Sequence, residues 1–263
     1  MTEGIADYTF VERLGGGNHG TYYLAKPPER LGVSDDVVAV KVLDANASEA
    51  DFARIANELR VLHSVASDYL VRLYDAGNAG GRLFYAMPYY AEGSLEASAH
   101  LSAPDRARVV VDAARGAHDL HEAGVVHRDI KPTNILIDSS RGRLGDLGLA
   151  RLIASDAKAT GIGPIGSIDY MSPDAILGKP ASRATDLWAL GVTLHYALTG
   201  AGVYAGIPDT NVMDAFTYVL KTPPTLEESL PDGYRTVIER CLGLDESYST
   251  AAEMADDLEG RAA

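Results

Sequence analysis

The chain has 263 residues, 46% of them apolar, and Cys241 is its single cysteine. That is enough apolar material for one large domain or two small ones, and it excludes a disordered chain, a disulfide framework and a cysteine-rich zinc site. Asp and Glu outnumber Lys and Arg by 37 to 23, for a formal charge of -14. An acidic body of this kind repels phosphate backbones, so nucleic acid is not an expected partner.

The first third reads as strands. Residues 8–14, 21–25, 37–43, 70–76 and 83–87 form short runs rich in strand-favouring residues, bounded by Gly, Pro, Asn or Asp. One helix interrupts them, with Ser48 as its N-cap, Glu49 and Asp51 in its first turn, and Phe52, Ile55, Leu59 and Leu62 as its apolar stripe. After Glu92-Gly93 the texture turns helical. Ser102 caps a long helix with Pro104 in the first turn, Val110, Val111 and Ala114 on one face, and Gly124 as its stop. A short Val125-Val126 strand and an apolar strand over 135–137 follow. Later helices are expected over 172–177, 186–199, 209–220, 234–242 and 251–260.

The stretch 187–208 has no Asp, Glu, Lys or Arg, which is long enough for a membrane span. Gly191, Gly200, Gly202 and Gly206 interrupt it, and a helix that stops at Gly200 is too short to cross a bilayer. It reads instead as the buried axis of a globular unit. The first eight residues have neither the basic nor the apolar region of a signal peptide. With the lone cysteine, this points to a cytoplasmic chain, or the cytoplasmic domain of a longer protein. No repeat or low-complexity tract is visible.

Gly15-Gly16-Gly17-Asn18-His19-Gly20 fits G-x-G-x-x-G, and strand-like Thr21-Tyr22-Tyr23-Leu24 follows where a dinucleotide fold would need a helix. The glycines therefore close a hairpin, which serves either as a plain tight turn or as a cover of backbone N–H groups over phosphates. In Val38-Ala39-Val40-Lys41-Val42-Leu43 the alternation puts Ala39, Lys41 and Leu43 on one face. A Lys inside an apolar strand needs a partner, and Glu58 offers one from the edge of the helical stripe. Such a pair can be structural; beside a glycine hairpin it better serves to orient an ammonium towards phosphate oxygens. His127-Arg128-Asp129-Ile130-Lys131-Pro132-Thr133-Asn134 comes next, and Asp146-Leu147-Gly148 begins 17 positions after Asp129. Carboxylates and an amide at the ends of short strands suit a hard cation and the removal of a proton from an alcohol.

Together these motifs resemble those of the protein kinase family, over about residues 8–258. The Lys-Pro-x-Asn that follows His-Arg-Asp is similar to Ser/Thr kinases of the bacterial, eukaryotic-like (Hanks) type. The resemblance implies an α+β, two-lobed fold, with an antiparallel sheet and one main helix over 1–87, a hinge over 88–91 and a mainly helical lobe over 92–263. It implies transfer of the γ-phosphoryl group of ATP, with Mg²⁺ or Mn²⁺, to Ser or Thr hydroxyls of protein substrates. Asp129 would accept the hydroxyl proton, Lys131 would steady the γ-phosphoryl group, and Asn134 and Asp146 would hold the metal. Lys41, fixed by Glu58, would contact the α- and β-phosphates. Leu14, Gly15, Gly17, Gly20 and Tyr22 would cover the nucleotide, with Ala39 and Leu136 on either side of the adenine. Met87 matches the gatekeeper, and the Pro88 carbonyl and Tyr90 N–H would read the adenine edge. Asp186 matches the acid that anchors the catalytic-loop backbone.

Departures from the family pattern are Tyr22 for Val, Leu147 for Phe, Ser167 for Thr, and Asp174 for the Glu of Ala-Pro-Glu. The Arg that pairs with that Glu aligns near Ser247, in a shortened loop over 243–247, so both members of one ion pair are altered. Thr160 is the candidate autophosphorylation site, with self-association as the route to phosphorylation in trans. Two other readings stand beside this one: a nucleotide-binding pseudokinase acting as a scaffold, and a small-molecule phosphotransferase. His19, His63, His100, His118, His121 and His195 lack metal spacing and read as surface or capping residues. Cys241 reads as a small buried apolar residue.

Overall fold

The computed structural model describes residues 4–17, 20–43, 59–60, 64–146 and 165–262. They fall into two compact units. In the first, six antiparallel strands form a sheet of order β1-β2-β3-β4-β6-β5. The strands are β1 (Gly4–Ile5), β2 (Tyr8–Gly17), β3 (Gly20–Lys26), β4 (Val38–Val42), β5 (Asp75–Ala79) and β6 (Arg82–Pro88). Alternation in β4 sorts the sheet's two faces. Val38, Val40 and Val42 pack with Ile5, Tyr8, Ala25, Phe84 and Ala86 in one core. Ala39 and Lys41 take the opposite face, where their register partners are Leu24 and Tyr22 on β3 and Met87 and Tyr85 on β6. The edge of this unit is tied by Arg30, which donates to Asp7 and to Asp75 at 2.7 Å, while buried Tyr8 donates to Asp75 at 2.8 Å.

The β2–β3 hairpin closes with Gly17 opposite Gly20. At Gly20, φ is +141°, and a Cβ would stand 2.3 Å from the Val42 carbonyl oxygen. Glycine there allows the hairpin to lie directly on β4.

The strand expected over 70–76 is displaced. Pairing starts at Asp75 and runs to Ala79 through Gly77 and Asn78, residues with little strand preference of their own. The ladder to β6 supplies the order that the side chains do not. Leu70 belongs to the second unit, where it makes an isolated bridge to Leu144. Of the helix expected after Ser48, Leu59, Arg60 and Ser64 are described and helical, and Leu59 is buried.

The second unit opens with α1 (Ala103–Glu122), which Ser102 caps by accepting the Asp105 N–H. The hairpin β7 (Ile135–Asp138) and β8 (Arg141–Leu144) comes next. Then follow α2 (Pro173–Ile176), α3 (Arg183–Thr199), α4 (Val212–Lys221), α5 (Asp232–Cys241) and α6 (Ala251–Ala262). The Val125-Val126 strand does not form. Val125 N–H bonds back to the Leu120 carbonyl at 2.9 Å and closes α1 instead.

Buried Leu190, Val192, Leu194 and Ala197 make α3 the apolar axis, and it ends at Gly200 in the left-handed conformation. It starts before Asp186, because Thr185 N–H bonds to the Ser182 carbonyl and Thr185 Oγ1 takes the Ser182 N–H. Gly191 lets α5 approach: a Cβ there would lie 2.5 Å from Cys241 Cβ. Cys241 is buried, and burial pushes its thiol well above the usual range. Among the described residues no helix is long and apolar enough to cross a membrane.

Two histidines overturn the surface reading. The side chain of His121 is buried against Asp186. His195, also buried, donates from Nδ1 to the Ala201 carbonyl at 2.9 Å and accepts the Glu227 N–H at Nε2 at 3.0 Å. A histidine that satisfies both ring nitrogens on backbone groups can sit in an apolar core without a charge.

Candidate active site

The sequence-derived site residues fall on two rigid supports, one in each unit. On the β-sheet, Lys41 is only 4% exposed, and its ammonium lies 4.8 Å from the centroid of the Tyr22 ring and 5.9 Å from that of Tyr85. Ala39 and Met87 are buried neighbours in the adjacent row of the same face. Leu14 is exposed, Gly15 pairs with Tyr22, Pro88 ends β6 opposite Val38, and Tyr90 is half-buried. Glu58, Leu147 and Thr160 lie outside the described residues, as do His19 and His63.

In the second unit the loop after α1 is fixed from behind. Both oxygens of buried Asp186 accept backbone N–H groups, His127 at 2.8 Å and Arg128 at 2.9 Å. Arg128 takes φ +71°, a left-handed turn that these bonds hold in place. His127 is fully enclosed. Its Nδ1 accepts the Asp129 N–H at 3.3 Å, so the proton sits on Nε2, which donates to the Gly145 carbonyl at 3.0 Å. Burial holds His127 below the ordinary imidazole range, and the neutral ring bridges the loops that carry Asp129 and Asp146.

Asn134 follows in a 3-10 turn, Pro132–Asn134, and its amide nitrogen donates to Asp129 twice: to the backbone oxygen at 2.7 Å and to Oδ2 at 3.0 Å. Lys131 Nζ stands 2.9 Å from the same Oδ2. The Asn134 carbonyl accepts Gly145 N–H at 2.9 Å, and Asp146 follows at once with φ +55°. Asp129, Lys131 and Asn134 are thus joined in one bonded frame, and the Asn134–Gly145 bond ties to it the backbone next to Asp146. Leu136 lies on β7, half-buried, bridged to Ser94 and paired with Arg143.

Both donor groups suited to a hard cation, the Asp146 carboxylate and the Asn134 amide oxygen, are present. The Asn134 amide nitrogen is turned to Asp129, and among the described bonds its oxygen takes only a long one, 3.4 Å, from Thr133 Oγ1. A carboxylate and an amide oxygen are donor types that can hold Mg²⁺ alongside phosphate oxygens and water.

Sequence reading missed several supporting residues. Asp112 on α1 is buried and accepts Arg141 Nε at 2.8 Å, Arg141 Nη2 at 2.7 Å and Gly142 N–H at 2.8 Å, which seats the β7–β8 hairpin. An Asp inside an otherwise apolar helical face was its one signal. Tyr85 gave none, because its place beside Lys41 depends on the register of two strands far apart in the chain. The altered ion pair also has an outcome: Asp174 pairs with Lys179 at 2.8 Å on the exposed surface. Near the exposed Ser247, it is Tyr248 that is buried, donating to Asp257 at 2.6 Å under the Arg240 guanidinium.

Known proteins resemble this chain in sequence and in fold. The serine/threonine-protein kinase PknK of Mycobacterium tuberculosis is 31% identical over 264 residues, covering 96% of this chain and 23% of PknK. The tyrosine-protein kinase MasK of Myxococcus xanthus is 30% identical over 274 residues, covering 96% of this chain and 42% of MasK. The chain therefore spans less than half the length of these relatives. The crystal structure of the M. tuberculosis PknI kinase domain superposes with a TM-score of 0.71 at 24% identity, over 99% of this chain and 98% of that one, which establishes the fold. The family model of the protein kinase domain matches residues 8–256, and the chain belongs to the protein kinase family.

Proposed function

We propose that this domain transfers the γ-phosphoryl group of ATP to Ser or Thr hydroxyls of protein substrates. The observation that carries the reading is the Asp129 carboxylate, held by the Asn134 amide and by Lys131 on a loop anchored to Asp186. Asp129 orients the substrate hydroxyl and takes its proton as the oxygen bonds to the γ-phosphorus. The bond from that phosphorus to the β,γ-bridging oxygen breaks, and ADP leaves with the electron pair. Lys131 offsets charge on the moving phosphoryl group. Lys41, with Glu58 as its partner, positions the α- and β-phosphates. Leu14, Gly15, Gly17 and Gly20 cover the nucleotide, with Tyr22 in the same hairpin beside Lys41, and Ala39, Met87, Pro88, Tyr90 and Leu136 surround its base. Asn134 and Asp146 would hold Mg²⁺, which would supply neutralisation of phosphate charge.

The choice of Ser/Thr over Tyr rests on Lys131-Pro132-Thr133-Asn134, since relatives of similar identity carry either name. Radiolabelled ATP with a generic protein substrate, followed by phosphoamino-acid analysis, tests it. Asp129→Asn should lower turnover by about 10²- to 10⁴-fold. Wild-type turnover in that variant refutes the role of Asp129, and phosphotyrosine as the sole product refutes the substrate class. Thr160 is proposed as an autophosphorylation site, reached in trans by a second copy. Peptide mapping after incubation with Mg-ATP decides it, and phosphate absent from Thr160 excludes it.

A further inference from the structure

One row of side chains on the sheet face opposite the valine core is not explained by nucleotide contact alone. Tyr22, Lys41 and Tyr85 are consecutive register partners across β3, β4 and β6. The Lys41 ammonium lies at 4.8 Å over the Tyr22 ring and 5.9 Å over that of Tyr85, with Lys41 4% exposed and Tyr22 half-buried. An ammonium taken out of water needs negative potential around it. The faces of two aromatic rings add to it through their quadrupoles, and the contact strengthens as water is excluded. Valine, which stands at this position in the family pattern, has no negative face to offer an ammonium. The strand backbones fix where both rings stand, so the ring contact limits where the ammonium can go.

We propose that Tyr22 is a positioning residue of the phosphate site, holding the Lys41 ammonium by a cation–π contact so that it meets the nucleotide's phosphates in a defined place. The proposal rests on the assignment of Lys41 to the phosphates made above. Tyr22 then acts through Lys41. Its contribution follows the phosphates of the ligand and not the base, and it depends on the ring and not on the hydroxyl.

A double-mutant cycle read by calorimetric titration of the 263-residue chain with Mg-ADP tests this. Tyr22→Leu should weaken Mg-ADP binding by about 3- to 30-fold, the range expected for one desolvated cation–π contact. Tyr22→Phe should stay within about twofold of wild type, since phenylalanine retains the negative face. In a Lys41→Met background, Tyr22→Leu should have no further effect. Tyr22→Val, a strand-favouring residue, is the second variant should Leu fail to fold, and it should show the same loss as Leu. An equal loss with and without Lys41 overturns the proposal, because Tyr22 then acts on the nucleotide directly, as a lid over the base. A Phe variant as weak as Leu also overturns it, assigning the effect to the hydroxyl. If Lys41→Met binds Mg-ADP as tightly as wild type, the assignment of Lys41 to the phosphates is what fails.

Discussion

Asp186, in the first turn of α3, stands 2.8 Å from Nε2 of His121, in the last turn of α1, and both are buried. The carboxylate only accepts, so His121 donates. The same two oxygens hold the backbone N–H groups of His127 and Arg128. One side chain therefore fixes two helices and the loop that carries Asp129. Asp186→Ala strands three donors, two of them buried and the third half-buried, each worth about 1–3 kcal/mol when left without an acceptor. The expected result is a melting temperature lower by roughly 6 °C or more, together with loss of turnover. A variant that melts and turns over like wild type contradicts the anchoring role.

Stability should depend on pH through His127 and His195. Burial lowers both imidazoles below their ordinary value, more than the charge and hydrogen bonds around them raise it. In the unfolded chain both titrate near about 6.5. Above that pH neither state binds the proton and the full stability is present. As the pH falls below it, the unfolded chain takes up protons first, so stability declines towards the folded-state values. Urea unfolding at intervals from about pH 8 to 5 measures the slope. Replacing His195 with Gln removes one titrating group and should make the slope shallower; an unchanged slope would assign the titration elsewhere.

Most of the fold was legible because its signals are local. Ser102, Pro104 and Gly124 mark the ends of α1 by their own chemistry, and the alternation of β4 separates Lys41 from the valines within six residues. Non-local order was hidden. β5 is built from Asp-Ala-Gly-Asn-Ala, and β8 from Arg-Gly-Arg-Leu, and both are strands only because a partner ladder claims their backbones. The site was legible as a set of residues and not as a frame. Asp129, Asn134 and Asp146 stand out by type and spacing, whereas the tautomer of His127, the seat supplied by Asp112 and the tyrosines around Lys41 exist only once distant elements have met.

The hairpin that carries Leu136 should be sensitive to a single methyl group. A Cβ on Gly142 would lie 2.3 Å from the Val109 carbonyl oxygen on α1, and backbone cannot rotate away as a side chain can. Gly142→Ala must push β8 off α1 and stretch the bonds from Asp112 to Gly142 N–H and to Arg141. Overpacking of this kind costs about 1–3 kcal/mol. Denaturant unfolding should show a lower midpoint. An alanine variant as stable as wild type would mean that the helix and hairpin can separate freely.

Asn134 tests whether the amide orients Asp129 or only offers an oxygen to a cation. Its nitrogen donates to the backbone oxygen and to Oδ2 of Asp129, while its oxygen remains the hard donor. Asn134→Asp keeps an oxygen donor and nearly the same shape, but it replaces the N–H groups with a second carboxylate facing the first. Two like charges at this range repel, and Asp129 should swing from the position that Lys131 and the amide give it. A displacement on the order of 1 Å at a reacting group can lower the rate by about 10²-fold. The expected signature is a fall in kcat of that order, with KM for ATP changed by less than about threefold. Steady-state kinetics at saturating Mg²⁺ read both quantities. If KM rises while kcat holds, the amide serves nucleotide binding alone, and the orientation of Asp129 must come from Lys131 and the loop backbone.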